Sequence, residues 1–235
     1  MRLRWLPPAL AVSALLLLLL AGPTVRLGLW DYPVGFKLLR WGAYAGLAAA
    51  ALAVLFLMTS ARRGALVPLL LAVMVGGASA AVPRWWLAQA RRVPPIHDIT
   101  TDTDRPPEFV AVLPLRAGAP NPATYGGPEL AAAQREGYPD LAPLSLNVSV
   151  AEAFGRALAA GRAMGWHIVA ADSARGRIEA TATTMWFGFK DDVVVRITPE
   201  GAGSRVDVRS VSRVGQSDVG ANARRIRAFL ARLAA

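Results

Sequence analysis

The sequence predicts a membrane-anchored α+β protein in which three transmembrane helices precede a soluble domain with one antiparallel sheet. The first observation is that the apolar excess of a chain that is 54% hydrophobic falls in residues 1–83. The second is a cluster of prolines after that region, and the third is a series of strand-like alternations between two helical patterns. We therefore predict a membrane region at 1–83, a Pro-rich connector at 84–148 and an α+β core at 149–235.

Three apolar runs, at residues 5–25, 41–58 and 65–82, are each long enough to cross about 30 Å of hydrocarbon as helices. Tryptophans lie at or near their ends, and basic residues flank each run, as is typical of membrane helices. No Asp, Glu, Lys or His lies inside any run, which argues against an ion pathway. The first run could instead be a cleaved signal peptide, but no small-x-small cleavage site follows Leu20, which favours an uncleaved helix.

The orientation of these helices is predicted from the basic residues between them. An odd number of spans places the N-terminus and the soluble domain on opposite sides. Arg2 and Arg4 precede the first run, and Arg62 and Arg63 lie in the tight turn between the second and third. Although the other side holds more basic residues, the first helix often dominates and C-terminal domains translocate largely regardless of charge. We therefore predict a multi-pass protein of the bacterial inner membrane with a periplasmic domain.

The net charge of +10 divides unevenly along the chain. Residues 1–83 carry +6, and the rest of the chain carries +4. Most of the excess therefore flanks membrane segments, and nucleic acid is not predicted as a partner. The arginines after Arg205 form either a solvated helix face or a patch for an anionic partner. The absence of cysteine excludes disulfides and thiolate metal sites.

Eleven of the seventeen prolines lie between Pro83 and Pro143, and all but Pro83 belong to the connector. It cannot be mainly helix or central strand, and we expect extended and turn segments that wrap the domain, with one short helix at residues 128–135. Within it, HDITTDTD at 97–104 is the densest group of metal-ligand residue types, but the Gly and Glu of a calcium loop are missing. Local Asx and Thr turns are favoured instead, and no metal or cofactor is predicted.

The core begins with a capping box, Ser149 to Glu152, which opens a helix that ends at Gly165. Strands are predicted at residues 166–170, 178–189, 193–198 and 205–214. A final helix is predicted to begin near Ser217 or Asp218. The order α-β-β-β-β-α indicates an antiparallel sheet of about four strands with both helices on one face.

Several arginines of the last two strands are predicted to share the other face of the sheet. They either bind a carboxylate or phosphate or form cross-strand ion pairs with Glu179 and Asp207 beneath the connector. Asp191 and Asp192 are adjacent in the sequence. On a strand, their side chains point to opposite faces and cannot act as one carboxylate pair. The arginine-bearing face comprises Arg196, Arg205, Asp207, Arg209, Val211 and Arg213.

Catalytic motifs are absent from the sequence. Ser210, Ser212 and Ser217 are possible nucleophiles, but His97 and His167 are the only histidines and no G-x-S-x-G elbow occurs. Asn222 lies at the edge of the apolar stripe of the final helix. We expect it to be a buried hydrogen-bonding residue that fixes this helix on the sheet.

Four segments, FGFKDD (187–192), RSVSRVGQSDVGANARRI (209–226), HDITTDTDRPPEF (97–109) and YPDLAPL (138–144), resemble the bacterial and plastid family known as domain of unknown function 1499. The resemblance runs from His97 to the end of the chain. It implies a domain often attached to membrane helices or a signal sequence, and it supplies no activity. The family pattern falls on Phe187, Asp191, Asp192, Arg196, Arg209, Ser210, Ser212, Arg213, Gly215, Asp218, Gly220, Asn222 and Arg225.

These residues lead to competing hypotheses. The first is a non-enzymatic envelope protein that binds an anionic lipid headgroup, a glycan or another membrane protein. Its pocket would combine Arg196, Arg209 and Arg213 with the N-terminus of the final helix. The second is a hydrolase or transferase that uses Asp191 or Asp192 with Asp218, and the third is a structural subunit. The predicted anion or partner site comprises Arg196, Arg209, Arg213, Asp218, Asn222 and Arg225, and the predicted polar cluster comprises Asp191, Asp192, Ser210 and Ser212.

Overall fold

A computed structural model describes residues 3–59 and 64–234 of the chain. This part of the chain forms two compact units. The first comprises the described residues up to Gln89 together with Met185–Gly188, and the second comprises Ala90–Thr184 and the described residues from Phe189 onward. The flanking arginines Arg2, Arg62 and Arg63, used above to predict orientation, lie outside the described residues.

The first unit contains three helices that are long and apolar enough to cross a membrane. Helix α1 spans Leu6–Arg26 after a 3-10 turn, α2 spans Tyr32–Leu57 and α3 spans Leu66–Ala90. The three predicted runs are thus confirmed as helices. Helix α2 begins earlier than predicted and α3 ends later, because a helix continues past charged residues at which an apolar run stops.

Close contact between α2 and α3 depends on two glycines. A Cβ atom on Gly46 would lie 2.7 Å from the carbonyl oxygen of Gly76, and one on Gly76 would lie 2.4 Å from the carbonyl oxygen of Gly46. Neither position has room for a side chain. Small residues at such a crossing let two helix backbones approach each other, as in many membrane helix pairs.

The second unit is built on one antiparallel sheet of six strands, not the four that were predicted. The two additional strands come from the Pro-rich connector and pair in tandem with the same edge of the last strand. They were missed because three-residue strands are too short for alternation to be recognised. The strands are β1 Asp98–Thr100, β2 Leu144–Leu146, β3 His167–Asp172, β4 Arg177–Thr183, β5 Lys190–Glu200 and β6 Gly203–Ser212, in the order β1-β6-β5-β4-β3.

Two boundaries in the core differ from their predicted positions. Strand β4 ends at Thr183 instead of residue 189, because Thr184 and Phe189 close a loop through two hydrogen bonds of 2.8 and 2.9 Å. The final helix, α6, spans Ala221–Ala234. It begins later than predicted because Val219 and Gly220 have φ angles of 52° and 74°, which a right-handed helix cannot include.

Helices pack on one face of the sheet and an irregular part of the connector packs on the other. Helix α5, Val150–Ala163, and α6 share a core with the apolar side chains of β4, β5 and β6, which confirms two helices on one face. A third helix, α4, spans Gly127–Gly137 and confirms the short helix predicted in the connector. On the opposite face, Phe109 and Val112 pack on Val194 and Val211.

Candidate functional site

The register of β5 against β6 decides which predicted site residues lie together. Asp191 is opposite Ser212, and the next residue, Asp192, is opposite Val211. Because side chains alternate along a strand, Asp192 shares the connector face with Arg196 and Arg209, whereas Asp191 shares the helix face with Ser210 and Ser212. The two aspartates therefore point to opposite sides of the sheet, as their adjacency predicts.

Asp192 is the centre of a buried ion-pair cluster on the connector face. Arg213 donates from Nε and Nη2 to its two carboxylate oxygens at 2.9 and 2.8 Å, and Arg116 donates from Nη1 at 2.6 Å. The Thr181 hydroxyl donates at 2.7 Å. Burial raises the pKa of Asp192, but the hydrogen bonds from Arg213, Thr181 and Arg116 outweigh it and lower that pKa below its usual value.

Arg209 occupies the middle of the same face and is almost fully buried. Its Nε and Nη2 donate to the two carboxylate oxygens of Asp98 at 2.9 and 2.7 Å. Nη1 also donates to the carbonyl oxygen of Pro107 at 3.2 Å, and Nη2 to that of Ala123 at 2.8 Å. The guanidinium of Arg209 is thus engaged by the protein itself.

The lower part of the face holds a network of two arginines and two aspartates. Arg196 and Arg205 each donate to both Asp102 and Asp207, at distances of 3.0 to 3.3 Å. Asp102 also accepts the backbone N–H groups of Asp104 and Arg105 at 3.1 and 2.9 Å. The turns expected in HDITTDTD are therefore present, and they place Asp102 beneath the arginines.

A cleft of about 720 Å³ opens beside this network. It is bounded by the connector on one side and by β4 and β5 on the other. Arg177 on β4 lies directly opposite Arg196 on β5 in the register, and both face the cleft with side chains 26% and 30% exposed. Tyr125 lines the opposite wall with Phe109.

Tyr125, which lines this cleft, has a buried hydroxyl. Its ring lies 5.3 Å from the guanidinium carbon of Arg209, which stacks over it. Its Oη has no hydrogen-bond partner among the described residues. Burial, with a smaller contribution from Asp98, raises the pKa of Tyr125 to about 12, so the hydroxyl stays protonated and able to donate.

The helix face carries a separate polar network at the start of α6. Arg225 donates to Asp191 at 2.5 Å and to Ser210 at 3.0 Å. Asn222 is fully buried, accepts from Ser210 at 2.7 Å and donates to Ser212 at 3.0 Å. The expectation that Asn222 is a buried residue fixing the last helix to the sheet is confirmed.

Asp218 caps the N-terminus of α6. Its carboxylate oxygens accept the backbone N–H groups of Gly220 and Asn222 at 2.8 and 2.5 Å. Burial raises the pKa of Asp218 and outweighs these two hydrogen bonds, which lower it. The helix N-terminus is thus occupied by a side chain of the protein.

The structure therefore separates the residues that the sequence hypothesis combined into one pocket. Arg196, Arg209 and Arg213 lie on the connector face, whereas the N-terminus of α6 lies on the helix face with Asn222 and Arg225. The two groups therefore lie on different faces of the sheet. Within residues 3–59 and 64–234, no three His, Asp or Glu side chains come together as a possible metal site.

Sequence reasoning missed four residues of the cleft and its supporting clusters. Arg116 and Asp98 are buried ion-pair partners, and Tyr125 and Arg177 line the cleft. Three of them belong to the connector, where no periodicity indicates a face. Arg177 could have been found from the sequence, since it directly precedes Ile178, at which the alternation of this strand begins.

The fold and these networks define an α+β domain that carries a buried arginine–aspartate scaffold on one sheet face and follows three candidate transmembrane helices. The family model described as "Protein of unknown function (DUF1499)" matches residues 98–233, and the chain belongs to this family. The match includes all six strands and α4 to α6 down to Leu233. A search of curated proteins finds no match.

Proposed function

We propose that the chain is a membrane protein whose soluble domain binds an anionic ligand in the cleft beside Arg177 and Arg196, without catalysing a reaction. The observation that supports this most directly is the cross-strand register of these two arginines. Like charges directly opposite each other on one sheet face are destabilising. A bound anion relieves that repulsion, and a guanidinium pair suits phosphate or carboxylate.

The surroundings of Arg177 and Arg196 favour ligand binding over a role limited to ion pairs within the protein. Arg177 lies 3.2 Å from Glu179 through Nε, and Arg196 contacts Asp102 and Asp207. These carboxylates are nearly inaccessible, whereas both arginine side chains remain partly exposed and line the cleft. The carboxylates therefore hold the guanidinium groups in place while part of each group faces solvent.

The opposite wall adds an apolar surface. Tyr125 and Phe109 line the same cleft as the arginines, and the protonated hydroxyl of Tyr125 is buried without a partner among the described residues. A ligand with a charged group and a less polar portion fits this combination, since binding sites commonly join apolar walls to a few placed polar groups. Anionic lipid headgroups and phosphorylated or acidic glycans have this chemistry, and an acidic segment of another membrane protein is a further source.

The hydrolase or transferase hypothesis receives less support from the site geometry. Asp191 and Asp192 face opposite sides of the sheet, and each is held by arginine. Asp218 accepts two backbone N–H groups as a helix cap. General acid–base catalysis requires groups that can reach one substrate, and these three carboxylates have structural partners instead.

The proposed location follows from the helices and the predicted topology. We infer a bacterial inner-membrane protein with the domain in the periplasm, where anionic headgroups and glycans are available. A structural subunit of a larger assembly would differ by co-purifying with a stoichiometric partner from native membranes.

The test is a calorimetric titration of the full chain in a neutral detergent with inorganic phosphate and then with soluble phosphatidylglycerol. We expect binding that the Arg177→Gln variant weakens by roughly tenfold or more, since a charge-assisted hydrogen bond contributes about 1.5–3 kcal/mol. The matched control is Arg162→Gln, because Arg162 lies exposed on α5, away from the cleft. Equal heats for both variants and the wild-type chain, or no binding at millimolar ligand, would refute the proposal.

A further inference from the structure

The loop between β4 and β5 ends in an apolar tip whose sequence is Met185, Trp186, Phe187 and Gly188. Although the flanking strands belong to the sheet, Met185–Gly188 belongs to the compact unit of the three apolar helices. Three large apolar residues in succession at the end of a hairpin are unusual in water, because loops are normally polar and carry turn-forming residues. Exposure of this tip to water is therefore unfavourable, and an apolar environment would stabilise it.

Glycines of α1 and α2 form the surface on which this tip packs. A Cβ atom on Gly22 would lie 2.5 Å from Trp186 Cδ1, and one on Gly35 would lie 2.9 Å from Phe187 Cε1. Arg26 Nη1 donates to the carbonyl oxygen of Met185. The two rings thus fill space that side chains at Gly22 and Gly35 would occupy.

The side of the tip away from these glycines is uncovered. Met185 is 87% exposed and Trp186 is 40% exposed. Leu27, Leu29 and Trp30, in the connection between α1 and α2, are also exposed. Exposed apolar side chains of the tip and of this connection therefore occur within the same unit as the candidate transmembrane helices.

We propose that Met185 and Trp186 lie in the interfacial layer of the lipid bilayer, so that the β4–β5 tip is a fourth lipid-contacting element beside the three helices. The tip belongs to the helical unit, in which large apolar side chains are exposed along all three helices. Trp favours the level of the lipid headgroups, where its amphipathic ring is accommodated. Arg26, beside the tip, is a suitable neighbour at that level because arginine reaches headgroup phosphates.

The absence of cysteine from the chain allows a direct test by site-directed spin labelling. A nitroxide on Met185→Cys is compared with one on Ala202→Cys in the exposed β5–β6 turn, in the full chain reconstituted in phosphatidylcholine with a minority of phosphatidylglycerol. We expect the label at 185 to collide preferentially with oxygen, which concentrates in lipid, and the label at 202 to collide with a water-soluble nickel chelate. Similar nickel accessibility at both positions would overturn the proposal.

A second pair of variants tests whether the glycine surface holds the tip at this depth. Gly22→Leu places a side chain where Trp186 packs, whereas Gly77 on α3 has no atom within 4 Å of a built Cβ. In the Met185→Cys background, Gly22→Leu is expected to raise nickel accessibility several-fold and Gly77→Leu to leave it unchanged. Equal accessibility in the two variants would show that packing on Gly22 does not position the tip.

Discussion

Arg209 and Asp98 form a bidentate ion pair across the β1–β6 pairing, with both side chains almost fully buried. The pair joins the first strand of the connector to the last strand of the core. Since Arg209 also donates to two connector carbonyls, one side chain holds three separate segments on the sheet. Arg209, which was predicted as a ligand-binding residue, therefore has a structural role in the wall of the cleft.

Removing the carboxylate of this pair is predicted to destabilise the domain strongly. Asp98→Ala leaves a buried guanidinium without its partner, and breaking one member of a buried pair typically costs about 3–5 kcal/mol. The measurement is the free energy of unfolding by urea in a mild detergent. As a control, Asp140→Ala breaks the exposed pair with Arg227 and should cost about 1 kcal/mol or less. Comparable losses in the two variants would contradict this role of the buried pair.

Gln134 on α4 is predicted to protect the free edge of β1. Its side-chain amide accepts from the backbone N–H of Thr100 at 2.9 Å and donates to the carbonyl oxygen of Thr100 at 2.6 Å, as a neighbouring strand would. Gln134→Ala leaves both buried groups unpaired, at a cost of about 1–3 kcal/mol each. Amide hydrogen exchange at Thr100 should accelerate, whereas the exposed Gln216→Ala should leave it unchanged. Unaltered protection in Gln134→Ala would exclude the edge-capping role.

Much of the strand-face assignment could be predicted from the sequence, because alternation is a local property. Alternation along β4 puts Glu179 and Thr181 on one face and Ile178 and Ala180 on the other, and their contacts agree. The same reasoning put Asp191 and Asp192 on opposite faces. Each of these predictions depends only on neighbours two residues apart.

Contacts between distant parts of the chain could not be predicted in the same way. Arg116 pairs with Asp192, 76 residues away, from a connector without periodicity. Asp98 was considered a turn residue or metal ligand, whereas β1 pairing places it against Arg209. The hypothesis of a combined arginine and helix-terminus pocket met a related difficulty, since it depends on the side of the sheet on which α6 begins.

Gly176 is predicted to be intolerant of any side chain. Its φ is +58°, and a Cβ atom would lie 2.1 Å from the carbonyl oxygen of Ile197. Gly176→Ala should lower the free energy of unfolding by at least about 1 kcal/mol, which is the strain of a left-handed residue, and the backbone clash should lower it further.

Gly155→Ala is the control, and its expected effect has the opposite sign. Gly155 lies in α5 with open space around its Cβ position, so alanine there should stabilise by about 0.5–1 kcal/mol. Changes of the same sign in both variants would contradict this prediction.

The buried carboxylate of Asp192 predicts a specific acid sensitivity. Because hydrogen bonds from Arg213, Thr181 and Arg116 lower its pKa below the unfolded value of about 3.9, the ionised form stabilises the folded state. That contribution is complete above about pH 5, begins to be lost near the unfolded pKa and is lost fully once the pH falls below the lowered folded pKa. Asp192→Asn should therefore unfold more easily at neutral pH and lose less stability between about pH 5 and pH 2 than the wild-type chain.

The control is Asp172→Asn. The pKa of Asp172 is lowered chiefly by the backbone N–H of Arg175 at an exposed turn, where solvent screens the interaction. An acid-unfolding slope in Asp192→Asn as steep as that of the wild-type chain would show that another group governs the transition.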